Sequence, residues 1–128
     1  MQYLTAEDIL VIHAKLIDEI GGSHGVRDVN LLISLTERPK TSFSGKEVYR
    51  TVFEKAAAYL ESLVKYHVFV DGNKRTAVAV SARFLFMNGY ELTATNKELE
   101  KFTLKVVIEK LVLEKIAGWL KIHSRKTS

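Results

Sequence analysis

The stretch His67 to Ala77, HVFVDGNKRTA, runs straight into VAVSARFLFMNG (Val78 to Gly89), and its reading decides the rest of the chain. It sets an imidazole, a carboxylate, a glycine, an asparagine and two adjacent cations just ahead of an apolar, helix-compatible segment. A polar loop that feeds a helix N-terminus is a natural anion site, because free backbone N–H groups and the helix dipole point at the ligand. Histidine titrates near neutrality and suits a general base for a hydroxyl. Asp71 is a hard oxygen ligand of the kind Mg²⁺ takes when it also bridges phosphates. Gly72 permits a positive φ or a close backbone approach. Asn73 can brace the loop through side-chain bonds to the backbone, or donate to an anion. Lys74 and Arg75 add a point charge and a bidentate fork. Phe69 alternates with the polar residues and is expected to anchor the loop in the core. A solvated surface loop with weak ion pairs is the competing reading. Two successive cations at a helix N-terminus oppose the macrodipole, however, and imply an anion that the sequence does not supply.

Outward from this stretch, helical spacing dominates. Thr5 to Asp8 has the form of a capping box, and Ile9, Ile12, Leu16, Ile17 and Ile20 follow three and four apart until Gly21-Gly22. Residues 22–27 read as a loop, and Asp28 can cap a short helix with Val29, Leu32 and Ile33 that stops before Pro39. Lys40 to Lys46 reads as an exposed loop with Phe43 its one apolar residue. The helical period then returns from Glu47 to Lys65. The motif loop is followed by a helix from about Asn73 to Asn88 whose buried face carries Ala77, Val80, Phe84 and Met87. Ala77, Ala79, Ser81 and Ala82 let that helix sit close to its neighbours. Thr95-Asn96 can cap a further helix with Leu99, Phe102 and Val106, and a last one carries Leu113, Ile116, Trp119 and Leu120. Tyr90 to Ala94 alternates but has no obvious strand partner. The fold class is therefore all-α: one domain of about six helices, with the motif loop at the N-terminus of the central helix.

The 128 residues suit a single domain, taken as residues 1–122, followed by a basic tail over 123–128 that is expected to be flexible. Cysteine is absent, which removes disulfides, thiolate metal sites and a cysteine nucleophile. No secretory leader is recognisable and no apolar run approaches membrane-spanning length, so a cytoplasmic protein with no membrane partner is expected. The net charge of +4 is concentrated partly in that tail. Lys and Arg are neither gathered on one face nor interleaved with aromatics, so no direct nucleic-acid partner is expected.

HVFVDGNKRTA closely resembles the signature of the Fic/Doc superfamily, and specifically of the Doc (death-on-curing) toxins of bacterial toxin–antitoxin modules. LTAEDILVIHAKLI, GGSHGVRD, the ERP-x-T-x-F run, EKAAAYLESL and FLFMNGYEL resemble Doc-family blocks over roughly residues 4–92, and the final third matches loosely. The Fic enzymes that transfer AMP carry H-x-F-x-[D/E]-G-N-G-R-x-x-R. Here Lys74 replaces the glycine and Val78 the last arginine. In the Fic pattern the glycine leaves room for nucleotide phosphates, which a lysine would obstruct. N-K-R-T-A is the Doc-type pattern, although Gly72 is Fic-like where the founding Doc pattern has alanine.

The resemblance implies a protein kinase toxin that moves the γ-phosphate of ATP to a threonine of translation elongation factor Tu. It gives His67 the role of base and Asp71 that of Mg²⁺ ligand or nucleophile orienter. Phe69, Gly72, Asn73, Lys74 and Arg75 form the expected nucleotide-binding set, with His67, Asp71, Lys74 and Arg75 as the catalytic residues. The loop from Lys40 to Lys46 occupies the place of the target-docking flap of Fic-type proteins. No glutamate has Ser or Thr four positions before it, so the internal [S/T]-x-x-x-E-[G/N] inhibitor is absent. That fits a separate Phd-like antitoxin whose tail folds on the toxin near the first helix. The alternatives are a Fic-type AMP transferase and a catalytically silent helical binding module. His13, near the apolar stripe of the first helix, reads as a packing or partner-facing histidine. His24 and His123 lack a constellation, and Thr76 is expected to serve the helix's first turn.

Overall fold

The computed structural model describes residues 1–127; Ser128, the end of the expected tail, lies outside the described residues. Six α-helices are present among them: α1 Ala6–Ile20, α2 Val29–Glu37, α3 Val52–Lys65, α4 Asn73–Met87, α5 Asn96–Ile108 and α6 Leu113–Ile122. The all-α expectation holds. Two short antiparallel ribbons join them, β1 Ser42–Phe43 with β2 Lys46–Glu47, and β3 Tyr90–Leu92 with β4 Ser124–Lys126.

The helices start where side chains satisfy their free N–H groups. Thr5 and Thr95 form complete capping boxes with Asp8 and Glu98, Asp28 caps α2 through Leu31 N, and Thr51 caps α3 through Glu54 N. The motif helix α4 is different, because its N-cap is Gly72 and no side chain caps it.

α3 and α4 form the central pair, with α6 on the other side of α3 and α1 against α4. α3 is buried around most of its circumference, including Ala56, Ala57, Tyr59, Leu60 and Leu63. α4 turns Thr76, Ala77, Val80, Ser81, Phe84 and Leu85 inward, while Met87 is only partly buried. Ser81 Oγ donates to Ala77 O at 2.8 Å within its own helix and to Ala56 O of α3 at 3.3 Å. Such an approach is open only to small residues at the crossing.

Four expectations are revised. The helix read from Glu47 begins only at Val52, because Ser44 (φ 51°) and Gly45 (φ 77°) fold the preceding segment into a two-residue hairpin turn. Tyr90–Leu92 does have a partner, since Tyr90, Glu91 and Leu92 pair with Lys126, Arg125 and Ser124. The basic tail is therefore part of the fold through Lys126. His123 is tied down too, its ring stacked on Trp119 at 3.8 Å and its Nδ1 2.8 Å from Trp119 O. Finally, Ile20 on the expected apolar stripe of α1 stays exposed.

Tyr59 sits at the centre of the core with its hydroxyl bonded to the first residues of the chain. The hydroxyl accepts from Leu4 N at 3.1 Å and donates to Leu4 O at 3.4 Å. Burial pushes its phenol up to about 12. A raised pKa stabilises the fold fully below the ordinary tyrosine value, and that stability is lost as pH rises through the folded value. Tyr59→Phe should cost about 1–2 kcal/mol at neutral pH by orphaning Leu4 N–H, measured by urea unfolding. The gap between wild type and variant should narrow between about pH 10 and 12.

Candidate active site

The motif loop spans the seven residues between the end of α3 and the start of α4, and segments distant in sequence hold it in place. Val68 and Phe69 are buried, whereas His67, Val70 and Asp71 are exposed. Val68 O accepts from Arg27 N at 2.7 Å and Asp28 N at 3.2 Å, Val70 N donates to Gly25 O at 3.1 Å, and Phe69 bridges Val26. The loop is thus pinned as a short strand against residues 25–28. The Arg27 guanidinium clamps the turn out of α3, donating to His67 O at 3.0 Å and Tyr66 O at 3.3 Å. His67 itself has a left-handed backbone, φ 48°.

From below, His13 of α1 supports the loop. It is 3% exposed, its ring stacks on Phe69 at 3.8 Å and 6°, and its Nε2 lies 2.8 Å from Asp71 O. This packing reading of His13 was legible in its apolar stripe; its contact with the motif, 58 residues away, was not. Asn73 closes the loop on itself, accepting from Phe69 N and donating to Phe69 O, both at 2.9 Å. Both ends of its amide are therefore engaged with the backbone. Phe69 is the core anchor; at 1% exposure it supports from beneath the loop that carries the other residues expected to bind nucleotide.

Asp71 projects into solvent with its carboxylate held by two backbone donors, Ser23 N to Oδ2 at 3.1 Å and Gly72 N to Oδ1 at 2.8 Å. These two bonds hold its pKa below the usual carboxylate value, with smaller help from Arg75 and His13. Gly22 makes this possible, because a Cβ there would stand 2.7 Å from Asp71 Oδ2. Gly72, at φ 75°, starts α4 in the left-handed region with its α-carbon close over Ile17 and His13.

α4 then opens without a side-chain cap. Thr76 N is the first amide to return a helical bond, to Gly72 O at 3.0 Å. The N–H groups of Asn73, Lys74 and Arg75 have no partner among the described residues. Lys74 and Arg75 are exposed beside them, Lys74 with no hydrogen bond or ion pair among the described residues and Arg75 reaching Gly21 O at 3.3 Å. The His67 ring likewise makes no hydrogen bond among the described residues. Loop, free amides and cations together have the make-up of an anion cradle, flanked by an imidazole and a carboxylate.

Asp71 fits a magnesium ligand in being exposed and held ionised. No cluster of three or more acidic or histidine side chains suited to a metal exists among the described residues. Asp71 is the side chain that would hold Mg²⁺, and the ion would supply positive charge beside the free amides. Thr76 lies in the first turn as expected, but its buried hydroxyl has no partner among the described residues. His24 pairs only with Asp18 on the surface, at 2.7 Å.

The model of the Fic/DOC family matches residues 3–85, which takes in α1 through most of α4 and the whole loop. The chain belongs to the Fic/Doc family. It is 42% identical over 93 residues to a protein named Toxin Doc from Mycolicibacterium smegmatis, covering 73% of this chain and 69% of that protein. It is 26% identical over 121 residues to Protein kinase doc of Escherichia phage P1, covering 94% of each. No helix among the described residues is long and apolar enough to cross a membrane.

The two amide bonds on Asp71 give a direct test of the loop's geometry. A depressed carboxylate pKa stabilises the folded state above the unfolded value, and the effect is lost as pH falls through the folded one. NMR titration of the Asp71 side-chain carboxyl should therefore give a midpoint below about 3.9, the ordinary aspartate value. In Gly22→Ala the added methyl group displaces the carboxylate from Ser23 N, and the midpoint should climb back toward that value. An unchanged midpoint in the variant would show that the two amides do not hold Asp71.

Proposed function

We propose that this protein is a Doc-type toxin that phosphorylates a Thr or Ser hydroxyl of a translation factor of the elongation factor Tu kind. It uses ATP, arrests translation and growth, acts in the cytoplasm, and is restrained by a small Phd-like antitoxin. The observation that carries the reading is the uncapped N-terminus of α4, where three amides and Lys74, without partners among the described residues, meet the side chain of Arg75. The names of the two Doc relatives lend it support.

The chemistry follows from these groups. His67 removes the proton from the acceptor hydroxyl. The hydroxyl oxygen attacks the γ-phosphorus while the bond to the β–γ bridging oxygen breaks, giving a phosphate monoester and ADP. The amides of residues 73–75, with Lys74 and Arg75, hold the phosphate oxygens and offset the charge that develops on them. Asp71 would hold Mg²⁺, which would supply positive charge to offset that of the phosphates. His13, Asn73 and Arg27 keep the loop from reorganising during the reaction, which is where such electrostatic effects gain their strength. Lys74 occupies the space that the AMP-transferring pattern keeps open with glycine, and so favours transfer of the terminal phosphate.

An antitoxin needs apolar surface near this site. Val11 and Ile20 of α1 and Val70 of the loop are all exposed and supply it. A disordered tail that folds to a helix on them would bury its own apolar face there.

Incubation with translation extract and ATP labelled at the α- or γ-phosphate tests the reading. Transfer of γ-label alone is expected. Transfer of α-label would assign the protein to the AMP transferases, and no transfer from either, with antitoxin absent, to the silent binding modules. His67→Ala should lower the rate of transfer about 10²–10⁴-fold and abolish growth arrest on expression. Equal toxicity of variant and wild type would remove His67 from the role of base.

A further inference from the structure

A histidine that acts as a base is ordinarily aimed by a hydrogen bond to its other ring nitrogen. The His67 ring makes no hydrogen bond among the described residues, so its direction is inherited from the main chain. That main chain stands at φ 48°, in the left-handed region, which a residue with a side chain keeps only when its surroundings impose it. Arg27 dominates those surroundings, for it takes the carbonyl oxygens of three consecutive residues. Its Nη2 donates to Tyr66 O at 3.3 Å, its Nε to His67 O at 3.0 Å, and its backbone N–H to Val68 O at 2.7 Å. The first two oxygens belong to the two peptide planes that meet at the His67 α-carbon. A planar guanidinium bonded to both therefore fixes φ and ψ of that one residue together.

Arg27 can impose this geometry because its own backbone is fixed on both sides. Val26 before it forms the bridge to Phe69, and Asp28 after it caps α2 by accepting from Leu31 N at 3.0 Å. The fork is thus carried on an ordered segment, as a group that sets another's position must be. A plainer use for an arginine here is to satisfy the end of α3, whose C-cap residue is Tyr66. That use accounts for the bond to Tyr66 O and leaves those to His67 O and Val68 O unexplained.

We infer that Arg27 is the positioning residue of the base: by holding the two peptide planes that meet at His67, it aims the imidazole at the acceptor hydroxyl. It does through the main chain what a hydrogen bond to the ring does for other catalytic histidines. The inference rests on the proposed role of His67 in phosphoryl transfer. Arg27 acts only through that ring, so its loss slows proton removal and leaves the binding of ATP and of the acceptor unaltered.

The test is a double-mutant cycle, with γ-labelled ATP and purified elongation factor Tu as the acceptor. Arg27→Ala should lower kcat about 10²-fold, the loss that follows a misplacement of about 1 Å, with both KM values within about twofold. Arg27→Lys keeps the charge but loses the fork, and should lower kcat about tenfold. In the His67→Ala background either change should alter the rate by less than about twofold, because the group that Arg27 aims is gone. If Arg27→Ala does not fold, the cycle with Arg27→Lys decides. A loss of equal size with and without His67, a rise in KM in place of the fall in kcat, or an undiminished kcat would overturn the inference. Should the wild type transfer no label at all, the proposed function fails by itself. NMR then decides whether Arg27 holds the base, from the HN–Hα coupling and Cα shift of His67. The inference stands if the left-handed φ of the wild type is lost in Arg27→Lys, and falls if it is kept.

Discussion

The close approach of α3 and α4 is the constraint on which the rest depends. Ala56 and Ala57 on one helix meet Ala77 and Ser81 on the other, all fully buried, and the Ser81 hydroxyl bonds across to Ala56 O. A larger side chain at this crossing would force the axes apart, and cores rarely absorb such overpacking without strain. The separation of the axes fixes the distance between the end of α3 and the start of α4. That span is bridged by the loop bearing His67 and Asp71, so the tight crossing determines where those two side chains stand.

Around that loop, charge is arranged against the ordinary rules of helix stability. α1, α3 and α5 all open on a capping threonine with an acid in the first turn, whereas α4 opens on a glycine, without acid, and with two cations. Cations there cost a few tenths of a kcal/mol or more. The structure offsets this cost with backbone bonds from residues 23–28 and with the His13–Phe69 stack. Local stability is given up at α4, which leaves three free amides beside two cations, the make-up that binding an anion requires.

What could be read in advance follows from which interactions are local. The capping boxes at Thr5 and Thr95 and the apolar periods of α1, α4 and α5 lie within single helices, and the family resemblance rests on contiguous residues. The motif residues were legible for the same reason. Distant pairings left weaker marks: the partner of β3 lies more than 30 residues further along, and the loop's supports, His13 and Arg27, lie 58 and 40 positions from the atoms they bond. The β1–β2 hairpin was legible in principle from Ser44-Gly45, but a single turn in a polar stretch competes with many such pairs.

The left-handed backbone at His67 has a consequence for how such a protein can be lost. A side chain at φ 48° costs about 1 kcal/mol over glycine, and asparagine tolerates the region better than most residues. Replacing His67 by either removes the imidazole and relaxes the backbone in one substitution. On the proposed role of His67, inactivation at this position would relieve backbone strain and so oppose the usual destabilising effect of a damaging mutation. Silent descendants of such a protein would therefore persist as well-folded relics, retaining the whole scaffold and any partner that binds it.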